Sequence, residues 1–204
     1  MRYPLDRVAG LLIFLGSTQF VFGLTLAEIS YYRYSNVFQG WISDLQATCY
    51  DPFTAATCLI YQPSATIFNT SSVLFAVLLI FSSYFIYRTF RARLFSGCLL
   101  LSGAGFATIS LFPEISTSPV INGDAFLLVY VCGSLSAVLA YRLVKPPFTY
   151  LSLALGLIPL ALLPFAFGFQ NPVVSTLGEG GLERMIAYPI LLWLLTFGAY
   201  LMKG

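Results

Sequence analysis

The stretch IFNTSSVLFAVLLIFSSYFIY, Ile67–Tyr87, contains no charged side chain and is long enough to cross a bilayer as a helix. A transmembrane helix needs roughly 20 mostly apolar residues, because the hydrocarbon core is about 30 Å thick. Within that core the backbone must satisfy its own hydrogen bonds, which a helix does. Ile67–Tyr87 therefore predicts a membrane-spanning helix and sets the length and composition expected of any other span.

Five further stretches share this length and this lack of charge. With Ile67–Tyr87 included, the predicted spans are about 8–27, 67–87, 94–112, 125–141, 149–169 and 185–202. A transmembrane β-barrel would instead show shorter segments of alternating polar and apolar residues. The sequence predicts an all-α integral membrane bundle of six transmembrane helices. We expect one domain over residues 1–204, with a partly ordered outer loop between the first two helices.

The composition of the whole chain agrees with a membrane protein and excludes several other classes. Of the 204 residues, 58% are hydrophobic and 9% are charged, whereas soluble domains carry about a quarter charged residues. A net charge of +2 leaves no surface basic enough for a nucleic-acid partner. The sequence has no His, which excludes a Ser-His-Asp triad and removes a common metal ligand. No nucleotide-binding or zinc motif is present, so we expect no cofactor and no metal.

The basic residues divide unevenly between the two sides of the predicted bundle. One side carries Arg2, Arg7, Arg88, Arg91, Arg93, Arg142, Lys145 and Lys203, and the other carries only Arg33 and Arg184. The positive-inside rule places the first side in the cytoplasm. We therefore expect a cell-membrane protein with both termini cytoplasmic and with membrane lipids as its surroundings. A membrane-protein partner or a second copy of the chain remains open.

The long connection between the first two spans is too apolar to extend into water. Phe38, Trp41, Ile42 and Leu45 lie at helical spacing within it. Two interpretations fit this pattern. The segment could form a short helix that lies on the membrane or folds over the bundle as a lid, or it could be an aromatic belt at the level of the lipid headgroups.

The four cysteines fall into two pairs. Cys49 and Cys58 share the outer connection, where the oxidising environment favours a disulfide. A metal site is the rival interpretation, but two thiols without further Cys or His make a poor one. Cys98 and Cys132 lie inside the third and fourth spans, and we expect them to be free thiols at different depths.

Polar residues gather at the predicted outer ends of the helices. The candidate ligand-binding residues are Asp44, Asn69, Glu114, Asp124, Glu183, Arg184 and Tyr188. In one interpretation they line a partly closed pocket, in which Arg184 clamps an anionic group. In the other, the acids cap helices and meet water. These residues define no catalytic set, and whether the protein is an enzyme stays open.

Three sequence motifs resemble those of a known family. They are Gly181-Leu182-Glu183-Arg184 followed by Tyr188-Pro189 and Trp193, Leu111-Phe112-Pro113-Glu114, and Tyr34-Ser35-Asn36 followed by Ser43-Asp44-Leu45. In these motifs and in its six-span layout, the chain resembles the membrane proteins grouped as domain of unknown function 998 (DUF998). The resemblance implies that the family favours Asp44, Glu114, Glu183, Arg184 and Tyr188. Many members carry a His after the Phe-Pro-Glu turn, where this chain has Asn122-Gly123-Asp124, and the family has no assigned activity.

The polar cluster and the predicted topology together indicate a function in general terms. We expect a multi-pass membrane protein whose outward-facing polar pocket binds a lipid headgroup or a small extracytoplasmic molecule. Two alternatives remain open. One is a structural or accessory subunit of a larger membrane complex, and the other is a lipid-modifying hydrolase or transferase.

Overall fold

The computed structural model describes residues 5–31, 40–49, 58–112, 119–166 and 176–203, without the side chains of residues 48, 49, 58 and 119–122. Within these ranges, six helices are long and apolar enough to cross a membrane. They confirm the predicted all-α bundle of six transmembrane helices.

The first three spans are single helices: α1 (Leu5–Ser30), α2 (Ser64–Phe90) and α3 (Arg93–Leu111). The fourth span is composite. It joins α4 (Pro119–Leu127), a π-helical segment (Leu128–Cys132), α5 (Gly133–Leu139) and a 3-10 turn (Ala140–Arg142). The fifth span is α6 (Phe148–Ala166) and the sixth is α7 (Glu179–Lys203).

The sixth span differs from the prediction at its start. It begins at Glu179 rather than near Met185, so Glu183 and Arg184 lie inside the helix instead of preceding it. An apolar run marks the part of a helix that lies in hydrocarbon, whereas the helix itself can continue into a polar stretch. The fifth span was predicted to reach residue 169, and the part that the structure describes ends at Ala166.

Each span packs against the next one in the chain, and the sixth packs against the first, so the six helices close into a ring. Small residues make the closing contact. A Cβ atom added to Gly10 of α1 would lie 2.7 Å from the Gly198 carbonyl oxygen of α7, and one added to Gly198 would lie 2.8 Å from that of Gly10. Such close backbone approach is how membrane helices gain packing energy.

The outer surface of this ring is apolar, as contact with lipid requires. Phe22, Phe81, Leu157 and Leu192 each expose more than half of their accessible surface. In a soluble protein such extensive exposed apolar surface would mark an interaction site or an aggregation hazard. Here it lies on helices that are long enough to cross the hydrocarbon core.

Because successive spans alternate in direction, the connections fall at two ends of the ring. We call the end that carries residues 40–49 the loop end, and the opposite end, which carries Arg88, Arg142 and Lys203, the basic end. At the loop end, Ile42–Leu45 form a 3-10 helix. The two-residue strands β1 (Thr48–Cys49) and β2 (Cys58–Leu59) pair in antiparallel fashion.

Candidate functional site

The segment Gly40–Ala47, which we call the lid segment, folds over the loop end of the ring. Ile42 is 5% exposed and Leu45 is fully buried, so the apolar side of the segment faces the bundle rather than lipid or water. Asp44 holds the local turn, because its carboxylate accepts a hydrogen bond from the Trp41 amide at 2.9 Å. This packing agrees with the lid interpretation of the sequence.

Glu183 lies under the lid segment and is 2% exposed. Its Oε2 accepts a hydrogen bond from the backbone N–H of Ile42, and its Oε1 accepts one from the Tyr130 hydroxyl at 3.1 Å. The carboxylate thereby joins the sixth span, the fourth span and the lid segment. Among the described residues, no cation makes an ion pair with it.

Tyr130 reaches Glu183 from the π-helical part of the fourth span. Within a helix, a π-helical turn widens the backbone and re-aims the side chains that follow, and such turns often occur at functional sites. Val129, in the same turn, also faces the region beneath the lid segment. The irregular turn therefore presents both side chains to one place.

Arg184 follows Glu183 but is directed to different partners. Its Nη2 and Nε donate to Glu28 Oε1 at 2.7 and 3.1 Å, and its Nη1 donates to the carbonyl oxygens of Gly40 and Gly180, both at 2.9 Å. The side chain of Arg184 is 5% exposed and that of Glu28 is 17% exposed. The guanidinium thus ties the end of the first span and the start of the lid segment to the sixth span.

The contact between the lid segment and the sixth span requires a glycine. A Cβ atom at Gly180 would lie 2.0 Å from the Gly40 carbonyl oxygen and 2.8 Å from Arg184 Nη1. Any side chain here would displace the backbone of the lid segment and the guanidinium that binds it. A second contact, from Trp41 Nε1 to Glu179 Oε2 at 2.9 Å, fixes the outer edge of the same interface.

The far end of the lid segment is anchored by Gln46, which is 5% exposed. Its amide Nε2 donates to Asn69 Oδ1 and to the Ile109 carbonyl oxygen, both at 2.8 Å. Ser64 adds a hydrogen bond from its hydroxyl to the Leu45 carbonyl oxygen at 3.3 Å. These contacts connect the lid segment to the second and third spans.

A cavity of about 40 Å³ lies between the lid segment and the helices. Its walls are apolar and largely aromatic, and Glu183 is the charged residue among them. The lining comprises Phe20, Leu24, Ile42, Ser43, Phe68, Phe106, Ile109, Phe126, Val129, Tyr130 and Glu183. The cavity therefore combines contributions from the first, second, third, fourth and sixth spans with the lid segment as its cover.

Five of the seven predicted site residues belong to the lid segment or to the contacts around it: Asp44, Asn69, Glu183, Arg184 and Tyr188. Tyr188 is 41% exposed, and its side chain is in hydrogen-bonding contact with Arg184. Asp124 is exposed on the fourth span. Glu114 falls outside the described residues.

Three contributors to the site were not among the predicted site residues. Gln46 lies in a connection between spans and carries no charge. Tyr130 lies in an apolar run, where an aromatic residue is expected to pack against neighbouring helices. Glu28 lies just after the first predicted span, and its pairing with Arg184 joins two ends of the chain that no local pattern connects. The sequence signal that could have located Gly180 is the Gly180-Gly181 pair beside the Glu-Arg motif.

The structure describes the side chains of Cys98 and Cys132 but only the backbone of Cys49 and Cys58. Cys98 and Cys132 are free, as predicted, but their thiols lie within hydrogen-bonding contact of one another, so the expected difference in depth is wrong. Ser102 donates to the Val129 carbonyl oxygen at 3.1 Å, and this pairing of antiparallel helices places the next turns, with Cys98 and Cys132, side by side. Cys49 and Cys58 are directly opposed in the β1–β2 pairing, and their side chains lie outside the description.

A ring of six apolar helices with a lipid-compatible surface and a polar cluster confined to its ends defines a multi-pass membrane protein. Residues 14–200 match the model of the family described as "Protein of unknown function (DUF998)", and the chain belongs to that family. No curated protein and no solved structure matches the chain.

Proposed function

We propose that the cavity beneath the lid segment is a binding site for the polar end of a membrane lipid or another small amphiphile. The observation that carries this proposal is the position of Glu183, a buried carboxylate in the wall of an otherwise apolar, aromatic cavity. A site of this kind, concave and mostly apolar with a few convergent polar groups, is the usual form of a small-molecule site.

Stability alone does not account for a carboxylate in this position. Removing an ionised carboxylate from water costs several kcal/mol even after the surroundings relax, and well-packed apolar residues often stabilise a protein as well or better. The two hydrogen bonds from Ile42 and Tyr130 offset part of that cost. A ligand group that binds Glu183 supplies a reason for keeping the charge there.

The size of the cavity limits what can enter it. A cavity needs roughly 10–15 Å³ to hold one water molecule. A cavity of about 40 Å³ therefore accommodates only a small group. The remainder of a larger ligand must lie outside, along the apolar faces of the helices. An amphiphile in the surrounding bilayer meets this requirement.

The lid segment controls access in this proposal. Ile42 binds Glu183, the Gly40 carbonyl binds Arg184, and Trp41 binds Glu179. All three contacts join the lid segment to the first turns of the sixth span, so the segment must separate from that helix to open the cavity at the loop end. Arg184 serves here as an anchor of the lid segment, since its donors are directed to protein acceptors.

We also propose that the protein lies in the cell membrane with the loop end outside and both termini cytoplasmic. The distribution of basic residues supports this orientation. A cysteine added after Gly204, in a variant with the four natural cysteines replaced, should react with a membrane-impermeant thiol reagent only after the cells are opened. Reaction in intact cells would show that the C-terminus lies outside and would contradict this orientation.

Native mass spectrometry of the gently purified protein tests the binding proposal. We expect the wild-type protein to retain a defined lipid or amphiphile. Ile109→Phe should abolish this retention, because the larger ring occupies the cavity that Ile109 lines. Leu101→Phe, on the lipid-facing side of the same helix, is the matched control and should retain the ligand.

Equal adduct patterns in the wild-type protein and the Ile109→Phe variant would contradict the proposal. In that case the loop-end cluster is structural. A role as an accessory subunit would then be the better account of the protein.

A further inference from the structure

We propose that the group taken up beside Glu183 is a primary ammonium, supplied either by a lipid headgroup or by a free amine. This inference rests on the proposed function, since it names the chemistry of the ligand at the same cavity. It draws on four features of the described residues: their charge balance, the acceptor capacity of Glu183, the aromatic walls and the cavity volume.

Among the described residues, the loop end carries more acidic than basic side chains. Glu179 and Glu183 contact the lid segment and Asp44 belongs to it, while Arg184 forms its ion pair with Glu28. Asp44 lies close enough to Glu183 for their charges to interact. A cation placed beside Glu183 relieves this imbalance, whereas an anion adds to it.

Glu183 has the acceptors that an ammonium group needs. An ionised carboxylate offers about four acceptor positions, and the contacts from Ile42 and Tyr130 use two of them. The Tyr130 hydroxyl donates to Glu183 and keeps its own oxygen lone pairs as further acceptors. A primary ammonium has three donors and no acceptor, which complements this arrangement.

The aromatic walls favour a cation over a neutral polar group. Phe20, Phe68, Phe106, Phe126 and Tyr130 all line the cavity. Their rings pack closely, with centroids of Phe126 and Tyr130 at 4.3 Å and those of Phe20 and Phe106 at 5.4 Å. Ring faces attract cations, and the attraction is strongest where water is excluded.

The volume distinguishes between kinds of cation. A cavity needs roughly 10–15 Å³ to hold a single water molecule, so a cavity of about 40 Å³ takes only a small polar end. An ethylammonium end is small enough. A trimethylammonium head is larger, and it also lacks the N–H donors that would bind Glu183.

The test uses the whole protein in nanodiscs made of phosphatidylglycerol, which contains no amine. Ethylamine, its neutral counterpart ethanol, and tetramethylammonium are titrated while thermal unfolding is followed. We expect ethylamine to stabilise the protein at a concentration at least about tenfold lower than ethanol, since its hydrogen bonds to Glu183 are charge-assisted. We expect no effect of tetramethylammonium at the same concentrations.

Two variants connect this preference to the cavity. Glu183→Gln preserves the shape of the side chain and should remove the preference for ethylamine over ethanol. Ile109→Phe should remove the response to both compounds, while Leu101→Phe should leave it unchanged. Should Glu183→Gln fail to fold, the comparison of ethylamine with ethanol in the wild-type and Ile109→Phe proteins still decides the matter.

A second arm identifies the source of the ammonium group. If phosphatidylethanolamine in the nanodisc weakens the response to added ethylamine and phosphatidylcholine does not, a lipid headgroup occupies the site. If neither lipid alters the response, the site takes a free amine. Either result supports the ammonium assignment.

Failure of this inference is distinguishable from failure of the proposed function. An equal response to ethylamine and ethanol, abolished by Ile109→Phe, would overturn the ammonium assignment and leave a binding cavity in place. If Ile109→Phe alters neither the response to the added compounds nor the lipid adducts of the wild-type protein, both the ammonium assignment and the proposed binding function are overturned.

Discussion

Arg184 and Glu183 are neighbours in sequence, yet their side chains serve opposite purposes. The guanidinium of Arg184 donates to Glu28, Gly40 and Gly180, whereas the carboxylate of Glu183 borders the cavity. The sequence places both at the outer end of the sixth span, because the Glu-Arg pair adjoins an apolar run. It could not indicate that Arg184 binds protein groups while Glu183 borders the cavity, since the deciding partners are distant in the chain.

Replacing Arg184 by Ala should destabilise the protein by about 3 kcal/mol. Removing one partner of a buried ion pair leaves the other uncompensated, with a typical cost of about 3–5 kcal/mol, and the partial exposure of Glu28 reduces it. The loss would appear as a lower midpoint of unfolding in detergent. Arg142→Ala is the control, since Arg142 is exposed and its side chain contacts that of the neighbouring Tyr141.

A stability loss in Arg184→Ala no larger than in Arg142→Ala would contradict the anchoring role. Arg184 would then be available for the anion-binding interpretation that the sequence allows.

At the scale of elements, the lid segment shows what an apolar pattern can and cannot predict. The spacing of Phe38, Trp41, Ile42 and Leu45 allows a short helix or an aromatic belt, and the structure has a 3-10 helix at Ile42–Leu45. Its docking surface depends on Gln46 and Gly180, which form contacts across long sequence separations. The π-helical segment of the fourth span has no sequence signal, because its residues are as apolar as those of an ordinary helix.

Gly180→Ala should detach the lid segment while leaving the six spans folded. The added methyl group would overlap the Gly40 carbonyl oxygen, which has no side chain that could move away. Hydrogen exchange followed by mass spectrometry should show faster exchange in peptides that cover residues 40–47 and unchanged exchange in the spans.

Gly97→Ala provides the matched control, because a Cβ atom there meets nothing within 4 Å. We expect that variant to be neutral or slightly stabilised, by about 0.5–1 kcal/mol, as is usual for glycine in a helix. Unchanged exchange of residues 40–47 in Gly180→Ala would refute the account of this contact.

The β1–β2 pairing bears on the predicted disulfide. Directly opposed residues of antiparallel strands have Cα atoms about 4.5–5.5 Å apart, a separation that falls in the range of disulfide-linked residues. Because Cys49 and Cys58 are opposed in this way, we predict that they form a disulfide. Peptide mapping without reduction should recover one cross-linked peptide that contains both residues, with Cys98 and Cys132 alkylated as free thiols. Recovery of Cys49 and Cys58 as alkylated thiols from protein kept oxidised would exclude the bond.

At the scale of the whole molecule, the number and order of the spans follow from the sequence, because length and absence of charge are sufficient to mark a helix in lipid. Closure of the ring does not follow. It depends on Gly10 meeting Gly198, a contact between the two ends of the chain. The cavity is likewise a product of the assembled ring, since five spans and the lid segment each contribute part of its wall.

The central claim is that this cavity holds the polar end of an amphiphile beside Glu183. Its most direct test is photo-labelling with a long-chain alkylamine that carries its diazirine beyond the first two carbons, so that the ammonium can lie beside Glu183 with the bulkier group outside the cavity, followed by peptide mapping. The account predicts labels on cavity residues such as Phe106, Phe126 and Tyr130, displaced by excess ethylamine and absent from Ile109→Phe. Labels confined to lipid-facing residues such as Phe22 and Leu101, with no response to ethylamine or to Ile109→Phe, would contradict it.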